Sequence, residues 1–157
     1  MSASGESLNP THELEQLLYS AHETALDDSQ LATINRQLTG LDATLGITYT
    51  AISNGEVRAT MAVDARHHQP WGVANGGVYA CLTESVASVA GVVAARRPVV
   101  GVNNNTDFLR PASSGTLTAT ATPLHLGRRT QLWGVDICDE QGRLMARSQL
   151  RTMPLGG

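Results

Sequence analysis

The sequence has no uninterrupted run of eighteen apolar residues, so it offers no stretch that reads directly as a membrane span. Its first residues, MSASGESLNP, lack the basic and apolar regions of a secretory leader. Basic residues are not in excess: 11 Lys plus Arg against 14 Asp plus Glu leave a net charge of −3. No basic excess is available to neutralise a phosphate backbone, which argues against nucleic acid as a general partner. Cysteine is scarce. Cys81 and Cys138 form no CxxC pair and are expected to be reduced thiols, which with the missing leader gives a cytoplasmic expectation. Strand–helix alternation, a glycine-rich dinucleotide fingerprint and a P-loop are all missing, against a Rossmann fold. No internal repeat is visible. The His67-His68 pair has no third ligand at metal spacing, so no metal is expected, and no Ser-His-Asp spacing stands out.

What is present suits one globular domain. The 157 residues, 41% hydrophobic and 16% charged, are enough to bury a real core. Residues 1 to about 10 are polar and read as disordered. From Thr11 to about Leu38, Leu14, Leu17, Leu18, Ala21 and Ala25 fall at helical spacing, with Asp27-Asp28-Ser29 as a break between two helices. We read 1–40 as a partly helical extension that packs on the rest, and 41–157 as the main domain. Thr44–Ile52 and Glu56–Val63 alternate like strands around Ser53-Asn54-Gly55, and Asn-Gly is the strongest short hairpin signal. Four more strand-like runs lie near the C-terminus: Val99–Leu109, Thr116–Leu124, Thr130–Cys138 and Leu144–Thr152. Their short linkers predict a four-stranded antiparallel meander.

Between the two groups of strands lies QPWGVANGGVYACLTESVASVAGVVA, Gln69 to Ala94. A turn and a glycine pair lead into a long helix whose apolar face is Val78, Leu82, Val86, Val89 and Val93. A helix apolar on nearly every side must be wrapped. The predicted class is therefore α+β, one long central helix inside a curved antiparallel sheet of about six strands. Trp71 and Trp133 read as core or pocket-wall residues.

Glu84 is the anomaly in that helix. It has no Lys or Arg within helix-pair distance, while Cys81 and Ser88, three and four residues away, form a small polar stripe with it. An ionised, unpaired carboxylate in a core helix costs several kcal/mol, so it calls for a function. Gly76 and Gly77 allow close approach to the first-turn N–H groups, which have no intrahelical partner and carry partial positive charge. Such a terminus can stabilise an oxyanion. Eight residues of helix place Gly76 and Glu84 about 12 Å apart, too far for one protomer to bring both to one carbonyl. The motif predicts a homodimer whose sites combine Gly76 of one subunit with Glu84 of the other. The basic turn His125-Leu126-Gly127-Arg128-Arg129-Thr130 carries two guanidiniums suited to phosphate. Asn103-Asn104-Asn105 is unusual for a strand and reads as facing a site or an interface.

Gln69-Pro70-Trp71-Gly72, Asn75-Gly76-Gly77, Glu84-Ser85 and Ser88 together resemble the hotdog-fold acyl-CoA thioesterases. The likeness is to the Arthrobacter-type 4-hydroxybenzoyl-CoA thioesterase, its relatives acting on 1,4-dihydroxy-2-naphthoyl-CoA, and the phenylacetate-type group. VDARHHQPWG, VVGVNNNTDFLRP, PLHLGRRTQLW and DEQGRLMARSQLR extend it from about Leu45 to the C-terminus. The resemblance implies a hotdog fold and hydrolysis of an acyl-CoA, more aromatic than long-chain, without metal or cofactor. It implies Glu84 as nucleophile or general base, the Gly76 amide as oxyanion donor, Gln69 as a positioning group and Ser88 as the hydroxyl that orients water or Glu84. Coenzyme A would be held by Gly101, Phe108, Leu109, Arg110, Pro111 and the 125–130 turn. It also implies self-association, to a dimer at least and by family habit a tetramer, with neither nucleic acid nor membrane as partner. The family usually has histidine where Asn75 stands. Asparagine can cap a helix but cannot carry charge near neutral pH. A non-catalytic acyl-CoA binding module and an acyl-thioester hydratase or dehydratase are the alternatives. The latter usually pair Asp with His, and no such pair is evident.

Overall fold

The computed structural model describes residues 10–156; apart from Pro10, the polar start expected to be disordered lies outside the described residues. α1 (Pro10–Ser20) and α2 (Asp28–Gln37) are separated at the sequence break. Asp27 caps α2: its carboxylate accepts the Gln30 N–H, and the Gln30 side chain accepts the Asp27 N–H, both at 2.9 Å. This capping box satisfies two amides that the helix start would leave free. Leu18, Ala21, Leu31 and Ile34 are buried in the same core as the sheet, so both helices are packed walls of the molecule.

The strand expected from Thr44 begins later. Residues Gly40–Leu45 form a short helix, α3, which ends at Gly46 with φ +70°, and β1 runs Thr48–Ser53. A left-handed glycine is a common helix stop, and here it overrides the alternating pattern. β1 turns through Asn54-Gly55, with Gly55 at φ +97°, into β2 (Glu56–Ala62), as the Asn-Gly signal predicted. A 3-10 turn (Ala65–His67) and the Gln69–Gly72 turn then lead to α4 (Gly76–Ala95).

β3 (Val99–Phe108), β4 (Thr116–Leu126), β5 (Gln131–Cys138) and β6 (Leu144–Pro154) complete one six-stranded antiparallel sheet in the order β1-β2-β4-β5-β6-β3. The predicted four-strand meander is therefore wrong in one strand. β4, β5 and β6 are consecutive neighbours, but β3 pairs with β6 at the far edge. From β3 to β4 is three strand spacings, about 14 Å, and seven residues can reach about 24 Å. Linker length alone did not require a hairpin. The 109–115 segment crosses the sheet end instead: the Leu109 and Arg110 amides donate to Met145 O at 2.9 and 3.1 Å, and the Val63 amide to Gly115 O at 2.9 Å.

α4 touches all six strands, which is how its apolar surface leaves water. By length and composition it would also pass as a membrane-spanning helix, but half of that stretch is buried inside the fold. Val78, Leu82, Val86, Ala90 and Val93 face the core, while Val89 is only half-buried and lines a cleft. Each large apolar side chain removed from water contributes about 1.5–3 kcal/mol. Several buried polar side chains tie the elements together, although Gln37 Oε1 is buried without a partner. Thr83 donates to Ser148 at 2.8 Å, pinning α4 to β6, and Gln131 Oε1 accepts from Thr152 and from the indole of fully buried Trp133.

Candidate active site

The Gln69–Gly77 approach to α4 is held by its own backbone. The Gln69 amide donates to Val73 O at 2.8 Å, the Gly72 amide to Gln69 O at 3.0 Å, and the Asn75 amide to His67 O at 2.8 Å. Gly72, at φ +77°, makes that turn possible and leaves Trp71 83% exposed. His67 is not a ligand. Its Nδ1 accepts the Asp64 N–H at 3.0 Å and its Nε2 donates to Leu45 O at 2.9 Å, so both ring nitrogens serve the backbone. Among the described residues no group of three His, Cys, Asp or Glu side chains could hold a metal ion.

Asn75 is the N-cap of α4, its Oδ1 accepting the Gly77 amide at 2.8 Å. The Gly76 N–H, one position into the helix, has no intrahelical acceptor. A Cβ at Gly76 would lie 2.6 Å from the exposed Phe108 ring, which would have to shift to admit it. Phe108 also meets Tyr79, ring centroids 5.9 Å apart. Gln69, Gly76, Phe108, Leu109, Arg110 and Pro111 border a small cleft of about 240 Å³. Arg110 is engaged there with Leu144 O at 2.6 Å.

Glu84 lies elsewhere. It opens with Ala80, Cys81, Ser85, Ser88 and Val89 onto a second cleft of about 510 Å³. These residues share one stripe of α4, at i, i+3, i+4 and i+7 spacing. Ser88 therefore stands beside Glu84, as the sequence spacing indicated. The carboxylate points at β3, where Asn104 Nδ2 donates to Glu84 Oε2 at 3.3 Å and to Ala80 O at 2.9 Å. Thr106 fixes that amide by donating to Asn104 Oδ1 at 2.7 Å. Glu84 Oε1 occupies the place where a Cβ at Gly101 would be, and β3 carries an irregularity of register between Gly101 and Asn103. The ion pairs formed among the described residues do not include Glu84. It is a half-buried carboxylate held by one amide, with no cation to neutralise it.

Two partners in this cleft escaped the sequence reading, Asp42 on α3 and Tyr49 on β1, and Ser85 on α4, though part of the motif, was given no role. Ser85 Oγ donates to Asp42 Oδ1 at 2.6 Å, and the Tyr49 hydroxyl lies 3.3 Å from Oδ2. Burial pushes the Cys81 thiol above its ordinary pKa, with Asp42 and then Glu84 adding to the shift. Burial likewise pushes the Tyr49 phenol well up, reinforced by Asp42. A thiolate nucleophile is thus disfavoured at Cys81. Asn104 was signalled by its rarity in strands; Asp42, in an unforeseen helix, carried no signal.

The basic turn closes where the Gly127 amide donates to Thr130 O at 2.9 Å, with His125 and Leu126 exposed on the end of β4. Arg128 and Arg129 border a third cleft of about 690 Å³ with Met153, Pro154 and Leu155. The structure adds Arg97, whose guanidinium donates to Gly156 O at 3.2 Å. All eleven basic side chains of the chain are arginines, whose planar fork suits phosphate oxygens. Within one protomer, then, Gln69 and Gly76, Glu84 and Ser88, and Arg128 and Arg129 open onto three separate clefts.

Comparison with known proteins matches residues 72–146 to the family described as Thioesterase superfamily. A proofreading thioesterase EntH of Cronobacter sakazakii is 43% identical over 114 residues, 71% of this chain and 83% of that one. A thioesterase structure from Haemophilus influenzae superposes with a TM-score of 0.75 at 38% identity, covering 81% of this chain and 92% of that one. The structure of Escherichia coli PaaI, from the phenylacetic acid degradation operon, gives a TM-score of 0.74 at 27% identity, with 82% and 94% covered.

Proposed function

The chain belongs to the thioesterase superfamily, and from that premise we propose that it hydrolyses acyl-CoA thioesters, aromatic acyl groups foremost, to the free acid and coenzyme A. The observation that carries the reading is Glu84: an unpaired, half-buried carboxylate held by Asn104 against the glycine gap at Gly101, open to a cleft large enough for an acyl group. The aromatic preference draws on the phenylacetic acid setting of the PaaI relative and on motif resemblance.

Two balanced routes use the same residues. Glu84 attacks the thioester carbon, expelling coenzyme A thiolate and forming an anhydride that water then opens. In the other route, Glu84 takes a proton from a water that attacks directly, and the thiolate leaves with that proton. In both, negative charge gathers on the carbonyl oxygen, and the free Gly76 amide at the positive end of α4 is its donor. Such a donor contributes roughly 3–4 kcal/mol. Ser88, one helical turn from Glu84, orients the water or the carboxylate. Gln69 and Asn75 shape the turn that presents Gly76. Arg128, Arg129 and Arg97 receive the phosphates of coenzyme A, and Phe108–Pro111 border its path.

Because Gly76 and Glu84 of one protomer open onto different clefts, a complete site needs a second copy of the chain. The free edge of β3, with Val100, Val102 and Phe108 exposed, supplies a surface for it. The decisive assay is thiol release from a panel of aromatic and aliphatic acyl-CoAs. Glu84→Ala is expected to lower kcat by about 10²–10⁴. Thiol release that persists in the variant would sink the assignment of Glu84. Coenzyme A esters that bind the wild-type protein but never turn over would identify a binding module. A hydrated or dehydrated acyl product, seen by mass, would mark the hydratase chemistry instead.

A further inference from the structure

The cleft assigned above to the acyl group has a second carboxylate, and it comes from outside the family-matched segment. Asp42 sits on α3, ahead of the first strand, and lines the cleft with its neighbour Leu41. Its two oxygens engage Ser85 at 2.6 Å and Tyr49 at 3.3 Å. Ser85 is adjacent to Glu84 on α4, and Cys81 feels the charge of both acids. The cleft is therefore viewed by two carboxylates from two elements, and no Arg or His side chain is among its lining residues.

A carboxylate has about four acceptor positions, and Asp42 uses two, one of them long. Leu41, Ala80 and Val89 in the lining are apolar, and Tyr49, Ser88 and Asn104 are neutral. Beside Glu84, Asp42 is therefore the charged group that an acyl group meets in this cleft. A donor on the bound acyl group gains a charge-assisted hydrogen bond there. An acyl group ending in its own carboxylate meets like charge in a partly desolvated space, with nothing to neutralise it.

On the reading that this cleft takes the acyl group, we infer that Asp42 is a specificity-determining residue: it favours acyl groups bearing a hydrogen-bond donor or positive charge and rejects those ending in a carboxylate. α3 thus serves the site as well as the fold. A merely structural Asp42 would tie α3 to α4 through Ser85 and leave substrate choice alone.

The test compares kcat/KM for benzoyl-, 4-aminobenzoyl- and 4-carboxybenzoyl-CoA in the wild type, Asp42→Asn, Ser85→Ala and Glu84→Ala. Ratios between substrates within one variant do not depend on how much of it is folded. The wild type is expected to rank amino above unsubstituted above carboxy. In Asp42→Asn, which keeps the shape and one acceptor oxygen but removes the charge, the carboxy-to-unsubstituted ratio rises about tenfold or more. Ser85→Ala, which cuts the tie and keeps the charge, leaves that ratio near the wild type. An unchanged ratio in Asp42→Asn, or an equal rise in Ser85→Ala, overturns the role of Asp42 while Glu84-dependent turnover stands. Loss of the thioesterase reading looks different: the wild type releases no thiol from any of the three, or Glu84→Ala matches it, and the inference falls with the reading.

Discussion

At the scale of single residues the site rests on a mutual fit between Glu84 and Gly101. The carboxylate oxygen fills the space a side chain at position 101 would need, so β3 must pass α4 without a Cβ at that point. Gly101→Ala is expected to turn Glu84 out of its hydrogen bond with Asn104 and reduce kcat by about 10²-fold, the effect of misplacing a reacting group by an ångström. Because position 101 is exposed and on an edge strand, the urea midpoint should barely move. A paired loss of stability and activity would point to general damage. Glu84 itself was legible in the sequence because a lone acid in an apolar helix violates burial. Gly101 was marked only through family likeness, since a glycine in a strand has several uses. Asp42 was illegible: its contacts with Ser85 and Tyr49 span 43 and 7 residues and follow no spacing rule.

At the scale of elements, local capping decides more than propensity. The Asp27 break, the Asn54-Gly55 hairpin and the start of α4 were all readable because each is written in neighbouring residues. The misplaced ones depend on distant partners. α3 takes in Thr44 and Leu45, where alternation suggested strand; Gly46 stops it and Asp42 anchors it to α4. β3 leaves its sequence neighbour β4 and pairs with β6 at the far edge of the sheet. Asn75 shows what a cap does for the site. At the position where the motif resemblance implies histidine, this chain has an N-cap whose oxygen holds the Gly77 amide. Asn75→Ala should cost about 1 kcal/mol in unfolding free energy, and Asn75→Ser only a few tenths. If capping is the whole contribution of Asn75, kcat recovers in the serine variant, as thiol-release kinetics would read out. Activity lost equally in both would mean that the amide itself touches the substrate.

At the scale of the whole molecule, the separate clefts of Gly76 and Glu84 make one protomer an incomplete enzyme on the proposed mechanism. Glu84→Ala removes one half-site; Gly76→Val, whose side chain must displace the Phe108 ring, removes the other. Mixed in equal amounts and allowed to exchange subunits, the two should recover about a quarter of wild-type activity. Half the dimers are hybrids, and each hybrid holds one intact site. No recovery after subunit exchange has been verified by mass would place both groups in the same protomer. The tryptophans follow the same division between inside and outside. Trp133 is sealed in the core with its indole bound to Gln131, whereas Trp71 stands in solvent on the turn that leads to Gly76. The molecule thus has two native fluorophores in opposite surroundings. One emits toward the blue and is shielded from iodide for as long as the core stays closed. The other emits toward the red, and its quenching reports, without any label, whatever comes to cover that turn.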